Sequence, residues 1–153
     1  MAEWIGLVRS LIVYWRPGRQ RALRKLYAGF VREGDLVFDV GAHLGDRSVA
    51  FAALGARVVA LEPQPLIARW LRRIAGRNER VVVRSDAVGA RPGTGRLAIS
   101  RRTPTVSTLS DSWRERAADA HRGFRGVRWE QVVEVPVVTL DGLIEAHGVP
   151  SFC

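Results

Sequence analysis

The sequence is nearly free of cysteine. Its one thiol, Cys153, is the last residue, so neither a disulfide framework nor a cysteine metal site forms within one chain, and a reducing compartment is expected. Lysine is almost absent too: of 24 basic residues only Lys25 is a lysine, which leaves 23 arginines. Long apolar runs are missing. Spanning a bilayer takes ~20 consecutive apolar residues, and Arg9 splits the one apolar stretch near the start, MAEWIGLVRSLIVYW. Glu3 stands where a secretory signal carries positive charge, so this stretch does not read as a signal, and a cytoplasmic location is expected. The three histidines, His43, His121 and His147, are scattered, and no protein metal site is expected. There is no low-complexity tract and no internal repeat. With 47% hydrophobic residues in 153, a globular chain with a real core is expected.

The net charge of +9 has two readings. It can face nucleic acid, or it can reflect high-GC coding that writes arginine wherever a basic surface residue serves. The arginines are spread through every segment rather than gathered in a block, which favours the second reading.

Residues 1–33 read as an N-terminal helical segment. Trp4, Ile5, Leu7, Val8, Leu11, Ile12 and Tyr14 fit one broad helical face, and Pro17-Gly18 ends it. A second amphipathic helix is expected over 19–31, with Leu23, Leu26, Tyr27 and Phe30 on one side. Basic residues flank the first helix (Arg16, Arg19, Arg21, Arg24, Lys25), so peripheral membrane contact through residues 4–25 is a second use for it.

From residue 34 the pattern alternates. Leu36–Val40, Arg57–Leu61 and Val81–Arg84 are short apolar runs of the kind buried on both faces of a parallel sheet. Between them, 46–54 suits a helix stopped by Gly55, and Pro65 opens a helix running to about Ala75. This order predicts an α/β fold, half of a doubly wound, Rossmann-like sheet. The rhythm then changes. Gly93-Thr94-Gly95 reads as a turn, Arg96–Ser100 as a strand, and Val132–Val138 as a strand antiparallel to it, a β-hairpin insertion. Thr139 caps a last helix through His147. Residues 101–131 are polar and arginine-rich. Ser112 and Glu115 have capping-box spacing, and Trp113, Phe124 and Trp129 among arginines suit an amphipathic lid, or base stacking.

The chemistry concentrates in DLVFDVGAHLGDRS, residues 35–48. A glycine turn after a parallel strand brings backbone N–H groups and a helix N-terminus close to a ligand. Dinucleotide sites write G-x-G-x-x-G. Here Asp39, Gly41, Ala42, His43 and Gly45 give D-x-G-x-x-x-G, with no middle glycine and with an acid at the strand end. A carboxylate there repels a diphosphate and suits a ligand that is cationic near the turn. S-adenosylmethionine, with an ammonium, a sulfonium and no phosphate, meets that requirement. Glu62-Pro63 ends the second strand, where an acid accepts hydrogen bonds from ribose hydroxyls. Asp86-Ala87, past the third strand, offers a carboxylate and a backbone N–H to an adenine edge.

Four stretches in order, LVFDVGAHLGDRS, VVALEPQP, SDAVGA and VPVVTLDGLI, resemble the FkbM-type S-adenosylmethionine-dependent methyltransferases from about residue 20 onward. The resemblance implies a class I methyltransferase fold over 34–153 and methyl transfer to a hydroxyl of a sugar, lipid or secondary metabolite. It places Asp39, Gly41 and Gly45 on the cofactor loop, Glu62 on the ribose and Asp86-Ala87 on the adenine side. It also places the serine/threonine stretch TPTVSTLSDSW near the cofactor. His43 stands where the family often has asparagine. The chain stops at Phe152-Cys153, where the family's fourth strand begins, so an incomplete sheet and an N-terminal fragment with little activity alone are expected. Two other readings stay open at this stage: an RNA methyltransferase, and a non-catalytic nucleoside-binding or interaction module.

Overall fold

The computed structural model describes residues 2–100, 107–110 and 128–153, with side chains from residue 6 onward. The expected helix at Ser112–Glu115, His121, and most of the arginine-aromatic segment (Trp113 and Phe124 included) lie outside the described residues. So do the side chains of Trp4 and Ile5.

The described residues form an α/β structure of five helices and two three-stranded sheets. The elements are α1 (Ala2–Tyr14), α2 (Arg19–Tyr27), β1 (Leu36–Val40), α3 (Asp46–Ala53), β2 (Arg57–Leu61), α4 (Pro65–Ile74), β3 (Val81–Arg84), β4 (Ala87–Val88), β5 (Gly93–Ile99), β6 (Gln131–Val138) and α5 (Leu140–His147). Strands β1, β2 and β3 are parallel, in that order, with Asp39 opposite Ala60 and Leu61 opposite Arg84. The second sheet runs β4-β6-β5, with β5 antiparallel to β6 as expected. On the free side of β1, Phe152 forms a parallel bridge to Val37, with Phe38 N–H donating to Phe152 O and Ser151 N–H to Leu36 O.

The strand period of two explains the first sheet's two cores. Val37, Val58, Ala60 and Val81 pack with Phe51, Leu71 and Ala75 of the α3–α4 layer. Leu36, Phe38, Val59 and Leu61 pack on Leu143 of α5. Asp39 and Glu62 share the parity of Val37 and Ala60, so they fall on the α3–α4 side.

Three expectations need correction. Gly93-Thr94-Gly95 is not a turn but the start of β5, paired with Val137, Pro136 and Val135. A Cβ on Gly95 would lie 2.8 Å from Val137 Cγ2 and 3.1 Å from a Leu109 Cδ, so glycine serves close packing in a strand here. The apolar face of α1 is narrower than its sequence implies: Leu7 is buried and joins Leu44 and Ile67, whereas Val8 and Ile12 are exposed. Helix α2 ends at Tyr27 rather than 31, and of its apolar side Leu23 is buried while Leu26 and Phe30 are exposed. No helix among the described residues is long and apolar enough to cross a membrane.

Candidate functional site

A cavity of about 270 Å³ opens at the carboxyl ends of β1 and β2, lined by Tyr14, Gly41, His43, Asp46, Arg47, Glu62, Pro63, Gln64, Leu97 and Ser107. Its size falls just below the ~300–1,000 Å³ usual for small-molecule sites. Its position, outside the carboxyl ends of parallel strands, is where open α/β sheets bind ligands.

The turn after β1 is built from its own hydrogen bonds. Gly41 N–H and Ala42 N–H both donate to Leu61 O at 2.9 Å, and Gly45 N–H donates to Ala42 O at 2.8 Å. His43 N–H donates to Glu62 Oε2 at 3.0 Å. Gly41, His43 and Gly45 all have positive φ (76°, 51° and 77°), which glycine adopts freely and histidine adopts uncommonly. The N–H groups that a diphosphate would need are therefore already engaged.

Glu62 and Asp46 are the two acids that line the cavity. Glu62 is the one at the end of β2. It is buried, and its second oxygen, Oε1, accepts from Gln64 N–H at 2.9 Å. Burial pushes its carboxyl up to about 7, against the two backbone donors, and the nearby Asp39 charge adds to the rise. Each carboxylate oxygen keeps a lone pair for a further donor. Gln64 in turn accepts from Ser107 Oγ at 3.0 Å, and Ser107 lines the cavity.

Asp39 lies under the site rather than in its lining. Ser48 Oγ donates to its Oδ2 at 2.6 Å, and Arg47 Nε sits 3.7 Å from Oδ1. Burial raises its pKa, while the Ser48 bond and Arg47 act the other way. Ala42 is buried in the core. Gly45 faces α4, where a Cβ would lie 2.5 Å from Leu71 Cδ1, so its bareness serves helix packing. On the far side, Asp86 is held by Arg84 at 2.7 Å and Ala87 is paired with Val137 in the second sheet; neither lines the cavity. Of the expected site residues, Gly41, His43, Glu62 and Pro63 line it together.

Several lining residues escaped the sequence reading. Asp46, Arg47 and Gln64 directly follow the two motifs, and that adjacency was the available signal. Tyr14 had none, because it arrives from α1. Its ring packs on His43, centroids 5.0 Å apart, and Arg19 Cζ lies 5.2 Å from the Tyr14 centroid. Arg19 also pairs with Asp46 at 2.6 Å, and Gln20 Nε2 donates to Asp46 O at 2.9 Å. The N-terminal helices are thus fastened to the start of α3.

His147 lies at the end of α5, with Arg84 Nη1 3.5 Å from its Nε2, away from the cavity. Among the described residues no group of three or more His, Cys, Asp or Glu is placed to hold a metal ion. No family model matches the chain, and no curated protein sequence matches it.

Proposed function

We propose that the chain carries the cofactor site of an S-adenosylmethionine-dependent methyltransferase of the FkbM type, with a Rossmann-like fold, acting on a hydroxyl oxygen of a sugar, lipid or secondary metabolite. The observation that carries this reading is the pairing of a glycine turn with a buried acid, Glu62, at adjacent carboxyl ends of parallel strands. The turn's Gly41, Ala42, His43 and Gly45 N–H groups are spent internally, and Asp46 and Glu62 line the cavity, which disfavours a phosphate and favours a cationic nucleoside. When bound, such a cofactor would supply a methyl group to an acceptor hydroxyl, leaving its sulfur as a neutral thioether and the hydroxyl proton to solvent.

The chain's own contribution is binding and orientation. Glu62, held rigid by two backbone N–H groups, accepts from ribose hydroxyls through its remaining lone pairs. A positively charged ligand favours its ionised form, so binding releases protons near neutral pH. Tyr14, Glu62, Pro63 and Gln64 form part of the cavity wall.

Calorimetric titration of the chain with S-adenosylmethionine and with NAD tests the reading. The first should bind and the second should not, and Glu62→Ala should weaken the first at least tenfold. Tighter binding of NAD, or indifference to Glu62→Ala, contradicts it.

A further inference from the structure

Half of the large apolar side chains left exposed among the described residues belong to α1, α2 and the turn after α2: Val8, Ile12, Val13, Leu26 and Phe30. Single exposed apolar residues are ordinary, but a cluster marks a surface that meets something. On α1 the cluster has a direction. Val8, Arg9, Ile12 and Val13 are all exposed, and at 3.6 residues per turn they fall within an arc of ~140°. Leu7 and Ser10, on the opposite arc, are buried, and Leu7 packs with Leu44 and Ile67. Helix α1 thus fastens to the protein by one side and offers an apolar stripe with Arg9 on the other. Ile12 is 68% exposed and Phe30 is 65% exposed, more than a packing role leaves open.

The same stretch is one-sided in charge. From residue 4 to residue 32 there are seven arginine or lysine residues and no aspartate or glutamate, in a chain whose net charge is +9. Of these seven, only Arg19 is in an ion pair with an acid among the described residues. Arg9, Arg16, Arg21, Arg24 and Lys25 are exposed. Helix α4 and the turn after it also carry exposed arginines, Arg69 and Arg77 among them, but its large apolar residues Leu66, Trp70 and Ile74 are partly covered. Exposed cations and exposed large apolar side chains coincide on α1 and α2, not on α4.

We propose that the exposed faces of α1 and α2 dock on an anionic lipid surface, where Ile12, Val13 and Phe30 enter the boundary between headgroups and acyl chains and the basic side chains meet lipid phosphates. An interfacial helix binds by the sum of these two terms, apolar burial and attraction to anionic lipid. Charge argues against a second copy of this chain as the occupant, because two such faces would repel. Side-chain type argues against a nucleic acid: four of the five exposed apolar residues are aliphatic and give bases no ring to stack on. The inference does not rest on the methyltransferase reading. The face starts beside the cavity, since Tyr14, the residue after Val13, lines it.

Vesicle flotation with the full chain tests it. Vesicles of phosphatidylcholine with about 30% phosphatidylserine should bind at least ~tenfold more tightly than phosphatidylcholine alone. Raising the salt from ~0.1 M to ~1 M, which shortens the screening length from about 10 Å to about 3 Å, should release most of the chain. Ile12→Gln and Phe30→Gln, both at exposed positions, should each weaken binding to the anionic vesicles at least ~threefold with an unchanged melting temperature. Arg21→Gln with Lys25→Gln should weaken it further than Arg69→Gln with Arg77→Gln, which removes the same charge elsewhere. Equal binding to both vesicle types, indifference to Ile12→Gln or Phe30→Gln, or equal effects of the two arginine-lysine and arginine-arginine pairs overturns the inference. So does an RNA oligonucleotide that binds more tightly than the anionic vesicles, or a dimer in sedimentation that Ile12→Gln dissolves.

Discussion

The backbone N–H of His43 donates to Glu62 Oε2 at 3.0 Å, which ties the glycine turn after β1 to the acid that ends β2. The tie couples two groups whose burial moves their pKa values in opposite directions: Glu62 up from 4.5 to about 7, His43 down from 6.5 to about 4. The pH dependence of folding should show both. Between pH 4.5 and 7 folded Glu62 keeps a proton that the unfolded chain releases, so its contribution is present at low pH and is lost as pH rises through about 7. The His43 contribution is present above pH 6.5 and is lost as pH falls through about 4. In urea unfolding, the stability of Glu62→Gln relative to wild type should therefore rise with pH between 4.5 and 7, with a slope of at most ~1.4 kcal/mol per pH unit. His43→Asn relative to wild type should fall between pH 4 and 6.5 and level off above. Flat differences would show that neither group is buried as described.

The two glycines of the turn should behave differently. Both have positive φ, but a Cβ on Gly41 meets nothing within 4 Å, while one on Gly45 lies 2.5 Å from Leu71 Cδ1 and 3.1 Å from Ala75 Cβ. Gly41→Ala should cost only the left-handed backbone term, ~1–2 kcal/mol. Gly45→Ala adds overpacking against α4, ~1–3 kcal/mol more. Thermal unfolding of the pair reads the difference, and equal losses would contradict the packing role of Gly45.

Ser48 is fully buried and gives Asp39 its strongest hydrogen bond. Ser48→Ala leaves a buried carboxyl short of a donor and should cost ~1.5–3 kcal/mol by urea unfolding. Because Asp39 lies beneath the cavity, Asp39→Asn should weaken S-adenosylmethionine binding less than Glu62→Gln does in the same calorimetric assay.

Arg19 holds Asp46, whose side chain is 4% exposed, while Arg19 itself is 24% exposed. Arg19→Ala leaves that acid without its cation and uncovers the face of the Tyr14 ring. Discounted for the partial exposure of Arg19, the loss should be ~1–3 kcal/mol, or a melting temperature lower by roughly 2–12 °C for a chain of this size. An unchanged melting temperature would mean that α1 and α2 are not fastened through this pair.

Much of this layout was legible in the sequence because local chemistry and tertiary packing agree there. The runs Leu36–Val40, Arg57–Leu61 and Val81–Arg84 match the three parallel strands, since five or fewer apolar residues between turn signals leave room for little else. Pro65 opens α4 and Thr139 Oγ1 accepts from Gly142 N–H at 3.0 Å, as capping rules predict. Gly93–Gly95 misled because glycine marks both turns and crowded strands, and the crowding comes from distant Leu109 and Val137. The exposed Val8, Ile12, Leu26 and Phe30 look like core by periodicity, but each short helix has only a narrow stripe of neighbours to cover. At the site, Gly41, His43 and Glu62 were legible because they belong to the turns themselves. Asp86 does not line the cavity, and Arg84, two residues earlier, pairs with its carboxylate at 2.7 Å. Tyr14 was invisible because its role depends on where α1 docks.

The most direct test of the account is a crystal structure of the chain with S-adenosylhomocysteine, the methyl-free form of the proposed cofactor. The account predicts the ribose hydroxyls within hydrogen-bond distance, ~2.5–3.0 Å, of the Glu62 carboxylate, with the nucleoside in the cavity that Gly41 and His43 line. A nucleoside bound elsewhere, or a Glu62 carboxylate with no contact to the ribose, would contradict it.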